Sequence, residues 1–174
     1  MEKISRLHRC NIFMSVAVLF SKRATCLRGS GALRGGSCLV QNGRIVSVGY
    51  TGSPRGTSHC TDVGCDISPI TGGCLRTLHS EANCIISAAN AGINLSKGGT
   101  LYTTISPCLS CAKIIISSNI DVVIYLQQYR DPAGVDYLLK AGKTPMKFDT
   151  LTNSDPGFIN HIVLLQGGLS VGEC

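Results

Sequence analysis

The order of polar and apolar positions along the chain switches between a helical and an extended period, and the switches mark the elements. Ile12, Phe13, Val16, Leu19 and Phe20 recur at helical spacing and predict a first helix over residues 8–24. Residues 37–41 (SCLVQ) and 44–50 (RIVSVGY) read as two strands. Asn42–Gly43 joins them, a pair that accepts the left-handed backbone of a two-residue hairpin turn. Residues 51–78 have no period and are rich in Gly, Ser, Pro, Thr and Cys, a long loop of the kind that in a compact domain has a function. The helical period returns over residues 79–92, with Ala82, Ile85, Ile86 and Ala89 on one stripe and Gly92 as a stop. TLYTTI, residues 100–105, alternates as a strand. Ser106–Pro107 then opens a helix over 108–118, with proline in the first turn, where its missing N–H is not needed. DVVIYL (121–126) reads as a buried strand, 133–142 as a helix and PMKF (145–148) as a short strand. The order α-β-β-α-β-α-β-α-β predicts a layered α/β sheet with helices on both faces.

At 174 residues the chain is one domain, with no boundary along 1–174, a core over about 10–148 and a tail at 149–174. Within that tail HIVLLQ (161–166) reads as an edge strand or an interface segment. Apolar residues make up 44% and charged residues 15%, which excludes a disordered polyelectrolyte. No segment has the apolar length of a membrane span. Lys3, Arg6 and Arg9 before an apolar run imitate a secretion signal, but SKRATC follows without a small-x-small cleavage site. The segment therefore reads as a helix of the mature, cytoplasmic protein. The net charge of +6 suits an anionic ligand. With no long Lys/Arg run and no Trp, nucleic-acid binding is not signalled.

Ten cysteines change the picture. Cys60, Cys65, Cys74, Cys108 and Cys111 cluster with His59 and His79, and imidazoles among thiols favour zinc over disulfides. Cys10, Cys38, Cys84 and Cys174 read as bystanders. His79-Ser80-Glu81 and Pro107-Cys108-Leu109-Ser110-Cys111 each open a helix, and helix starts favour thiolates. Cys108 and Cys111 are one turn apart and can share an ion with His79. Three protein ligands leave the fourth tetrahedral position for water, as in catalytic zinc sites. Glu81 is placed for proton transfer rather than ligation. Alone, C-x-x-C also fits a redox pair, and the whole set also fits structural zinc. In the loop, Cys60-x4-Cys65-x8-Cys74 offers thiolates for a second, closed site, with His59 as a competing ligand and free thiols as the alternative.

The two motifs together match the H-x-E…P-C-x-x-C signature of zinc deaminases. HSEANCI, LYTTISPCLSCAKIII, GYTGSP and TSHCTDVGC…CLRTLHSE resemble the deoxycytidylate deaminases of the cytidine deaminase superfamily, in the competence-operon and phage branch. The resemblance implies a three-layer α-β-α sandwich around a five-stranded mixed sheet. It implies hydrolysis of dCMP to dUMP and ammonia, with His79, Cys108 and Cys111 on a catalytic zinc and Glu81 shuttling protons. Ser80 and Ser106 would face the pyrimidine, and Thr51, Asn83, Tyr129 and Arg55 would border the substrate. It also implies a second, structural zinc, for which Cys26 joins Cys60, Cys65 and Cys74, a homo-oligomer, and dCTP and dTTP as candidate effectors. Three features depart from the family: HSE for the usual HAE, GYTG for GYNG, and a glycine-rich stretch LRGSGALRGGS after Cys26. Two other readings are a tRNA adenosine or nucleic-acid cytosine deaminase, which shares both motifs, and a non-catalytic, zinc-stabilised binding module.

Overall fold

The computed structural model describes residues 7–28 and 34–148. Helix α1 (Arg9–Ser21) precedes strands β1 (Gly36–Gln41) and β2 (Arg44–Tyr50). A short helix α2 (Cys60–Val63) lies in the long loop, followed by α3 (Ser80–Asn90) and a 3-10 turn at Leu95–Lys97. Strand β3 (Thr100–Ile105), helix α4 (Leu109–Ser117), strand β4 (Val122–Gln127), helix α5 (Ala133–Lys140) and strand β5 (Thr144–Lys147) complete the described chain. The strands form one five-stranded sheet in the order β2-β1-β3-β4-β5. β1 is antiparallel to β2 and to β3, whereas β3–β4 and β4–β5 are parallel. The sheet is therefore mixed, as expected. The hairpin turn is left-handed at both residues, with φ 50° at Asn42 and 69° at Gly43.

Strand alternation divides the core in two. Cys38, Val40, Tyr102 and Ile124 face α1, where Met14, Ala17, Val18 and Phe148 join them. Leu39, Leu101 and Val123 face the other way, onto Cys84, Ile85 and Ala88 of α3, Ala112 and Ile115 of α4, and Leu138 of α5. One helix covers one face and three cover the other, which makes three layers.

Two stripes differ from expectation. On α1 the buried residues are Asn11, Met14, Ala17, Val18 and Ser21, while Ile12 and Leu19 are 44% and 55% exposed. The reason is close approach: a Cβ at Gly36 would strike the backbone of Ala17 and Ser21, so α1 sets a face of small residues on the sheet. Phe13 and Val16 pack at its margin. On α3, Cys84 and Ala88 are buried and Ile86 and Ala89 are exposed. The cause is again a glycine, since Gly49 of β2 brings the sheet against the backbone of Ser80 and Cys84. Pro107 lies one residue before the N-cap of α4, which is Cys108, rather than inside the first turn. The loop over 51–78 is pinned at its ends by pairing of Gly52 with Leu78 and is crossed by pairing of Ile67 with Cys74. HIVLLQ lies outside the described residues. No described helix is long and apolar enough to cross a membrane.

Because the Cβ of residue 49 would meet backbone rather than a flexible side chain, Gly49→Ala should cost about 1–3 kcal/mol, the usual range for overpacking. The midpoint of denaturant unfolding measures it. An unchanged midpoint would mean that α3 does not pack this closely.

Candidate active site

His79 is the N-cap of α3 and Cys108 the N-cap of α4. Both caps have extended backbone, so their side chains stand beyond the first turn, at the positive ends of the helices. Pairing of Leu78 with Gly52 delivers His79 from the loop. Parallel β3 feeds α4, and Gly134 lets the start of α5 press against Pro107 and Cys108.

The Nδ1 of His79 lies 3.4 Å from Cys108 Sγ and 3.6 Å from Cys111 Sγ. All three atoms fall within 4.8 Å of one another. A tetrahedral ion with zinc–sulfur bonds of about 2.3 Å and zinc–nitrogen bonds of about 2.05 Å spaces N and S by about 3.6 Å, so the arrangement fits zinc. The closeness of the three groups also shifts their proton affinities. Hydrogen bonding from Cys111, and then His79, holds the Cys108 thiol down at about 3 against the effect of burial. His79 is raised to about 9, first by its hydrogen bond to Cys108, with the charge of Glu81 adding to it and burial opposing. Cys111 is pushed far above the ordinary thiol range by its bond to Cys108 and by burial. Imidazolium, thiolate and thiol thus share protons that a cation would replace.

Glu81, in the first turn of α3, is 5% exposed. Burial raises its carboxyl pKa, and the charge of His79 opposes the rise. The Ser80 hydroxyl donates to its Oε2 at 3.0 Å. His79, Ser80 and Glu81 line one cavity together with Thr51, Ser106 and Tyr129. Tyr129 meets the His79 ring edge-on at 6.2 Å, and its N–H donates to Ser106 Oγ at 2.7 Å.

Asn83 and Arg55 are not brought to this cavity. They border a separate one, beside Tyr50 and His59. The Asn83 amide donates to the carbonyls of Tyr50 and Gly52, which ties α3 to the end of β2. Sequence reasoning missed Arg28, Arg34 and Arg130, which line the cavity with His79 and Glu81. The net positive charge was their only signal, because isolated arginines have no diagnostic spacing.

A second cluster gathers Cys26, Cys60, Cys65 and Cys74, whose sulfurs all lie within 4.8 Å. Cys26 and Cys65 are 3.9 Å apart and Cys60 and Cys74 are 3.6 Å apart, near the roughly 3.8 Å that tetrahedral zinc requires between two sulfurs. His59 stands outside this cluster: its Nδ1 pairs with Thr25 Oγ1 at 3.1 Å. Cys26 and Cys74 also line the cavity, so the cluster forms one of its walls. Cys38 and Cys84 lie in the core, where burial pushes their thiols up to about 12.

Residues 8–127 match the model of the cytidine and deoxycytidylate deaminase zinc-binding region. The chain belongs to this deaminase family. It is 35% identical to ComE operon protein 2 of Bacillus subtilis over 76% of its own length and 67% of that protein. It is 32% identical to deoxycytidylate deaminase of Saccharomyces cerevisiae over 78% of its length, and that match spans 43% of the yeast enzyme. Its fold superposes on the dCMP deaminase of cyanophage S-TIM5, solved with dCMP and dUMP, with a TM-score of 0.69 and 29% identity, covering 83% of this chain and 99% of the phage enzyme. The deaminase described here is thus a zinc-family enzyme with the cytidine deaminase-like fold.

Proposed function

We propose that this deaminase hydrolyses dCMP to dUMP and ammonia, with zinc held by His79, Cys108 and Cys111. The observation that carries the reading is their convergence beside a cavity in which Glu81 is the one carboxyl group among the described lining residues. Zinc, when bound, supplies Lewis acidity that makes water acidic enough to lose a proton near neutral pH. Glu81 takes that proton and delivers it to the ring nitrogen beside C4 as oxygen adds to C4. It then carries the remaining hydroxyl proton to the exocyclic amine, which leaves as ammonia while C4 becomes a carbonyl. Burial of Glu81 suits this role, since raising a carboxyl pKa makes the group a better proton acceptor. Ser106 and Tyr129 border the space for the pyrimidine, with Thr51 at its side.

Arg28, Arg34 and Arg130 support a phosphorylated substrate. Arg130 lies over the Tyr129 ring at 5.6 Å and donates to the Thr71 carbonyl at 3.2 Å, which orients its guanidinium at the cavity. Guanidinium groups bind phosphate through charge-assisted, often paired hydrogen bonds. The four-cysteine cluster suits a second, structural zinc, closed to water because all four positions are filled by sulfur. The exposed Ile12 and Leu19 of α1 support a homo-oligomer, and dCTP and dTTP are the nucleotides to test as effectors.

Ammonia release from dCMP, CMP, deoxycytidine and 5-methyl-dCMP by the zinc-loaded chain tests the reading, which falls if all four are inert. Glu81→Gln should keep its zinc and lose about 10²–10⁴-fold in kcat, the usual weight of a general acid–base group. Arg130→Ala should raise KM for dCMP by roughly tenfold or more, the worth of one charged hydrogen bond, yet leave turnover of deoxycytidine unchanged. Metal analysis should find two zinc ions per chain, falling to one in Cys60→Ser, with the thermal midpoint lowered. A single zinc in the fully loaded wild type would remove the structural site.

A further inference from the structure

Behind Glu81 runs a chain of buried hydroxyls that the proposed reaction does not itself require. Ser37 of β1 and Thr103 of β3 are 0% exposed, and Ser80 of α3 is 1% exposed. Ser37 Oγ lies 2.8 Å from Ser80 Oγ and 3.1 Å from Thr103 Oγ1. Thr103 donates to the Ile105 carbonyl at 3.1 Å, and Ser80 donates to Glu81 Oε2 at 3.0 Å. The proton directions are forced. Ser80 has spent its single O–H on the carboxyl group and Thr103 its own on the carbonyl, so Ser37 donates to one of these two hydroxyls, and the shorter approach of 2.8 Å assigns it to Ser80. The series runs from the sheet to one oxygen of Glu81, and every member is shielded from water.

We propose that Ser80, held from behind by Ser37, is a positioning residue that fixes the rotation of the Glu81 carboxyl group. The terminal torsion of a glutamate is broad, so the plane of an unrestrained carboxyl group turns through a wide range of angles. A donor from Ser80 fixes the plane of the carboxyl group, so that one oxygen stays on the serine and the other is left to exchange protons. The backbone on either side is tightly packed, because a Cβ at Gly35 would meet Ser80 Oγ at 3.2 Å and one at Gly49 would meet the Ser80 carbonyl. Ser80 therefore has little room to turn to another partner.

The inference rests on the deaminase reading, and its test separates the two. In zinc-loaded Ser80→Ala, kcat on dCMP should fall about 3- to 10-fold, the worth of one hydrogen bond, with KM and zinc content unchanged. Ser37→Ala should lose less, and the double variant should be no slower than Ser80→Ala, since Ser37 acts only through Ser80. Crystals of the zinc-loaded wild type should show one carboxyl plane bonded to Ser80, and crystals of Ser80→Ala should show the plane rotated from it or spread over several angles. Unchanged kcat in Ser80→Ala, additive losses in the double variant, or the same single plane in both crystals would overturn the proposal. A wild type inert on dCMP would refute the substrate reading, and the crystals would still decide the role of Ser80.

Discussion

Three donor atoms that would bind protons or repel one another in an empty pocket are held within 4.8 Å, and the rest of the structure is arranged around that demand. Placing His79 and Cys108 at N-caps solves two problems at once. A cap residue has extended backbone, so its side chain stands clear of the helix, and the unpaired N–H groups behind it favour negative sulfur. The cost is that α3 and α4 must end their starts at one point in space. Close backbone approach at Gly49 and Gly134 meets it, by setting α3 on β2 and α5 on the start of α4.

The same geometry buries the carboxyl group. Glu81 lies two residues after His79, so the first turn that projects the imidazole also turns the carboxyl inward beside it. A buried carboxyl with no hydrogen bond is costly, and the Ser80 hydroxyl relieves that cost locally. Acid strength, orientation and placement of Glu81 are thus linked through three consecutive residues.

The cysteine-rich loop has little apolar content to hold its shape. Among its described residues Ile70 is 92% exposed and Leu75 is 65% exposed. Its Cys60, Cys65 and Cys74 gather with Cys26, and Cys74 and Cys26 form a wall of the cavity that also contains Glu81. Shape of the cavity and placement of the loop are therefore linked through these sulfurs.

Order and type of the elements, the hairpin at Asn42–Gly43 and the grouping of His79, Cys108 and Cys111 with Glu81 were legible in the sequence. The elements and the hairpin rest on local rules of period and turn chemistry and the Cys108–Cys111 pair on one helical turn, whereas joining them to His79 and Glu81 rests on the match to the zinc deaminase signature. Ala82 and Ile85 of the expected α3 stripe are buried, but the stripe of α1 and the rest of that of α3 were not legible, because hydrophobicity ranks residues by transfer from water, whereas contact with a glycine in the sheet selects small ones such as Ala17, Ser21 and Cys84. Arg28, Arg34 and Arg130 come to the cavity from distant segments, and Asn83 turns to the backbone of Tyr50 and Gly52. Such meetings depend on strand order and on how closely the layers pack. Those are properties of the whole fold, which is why the sequence determined the chemistry available and the tertiary structure alone decided which side chains share the cavity with it.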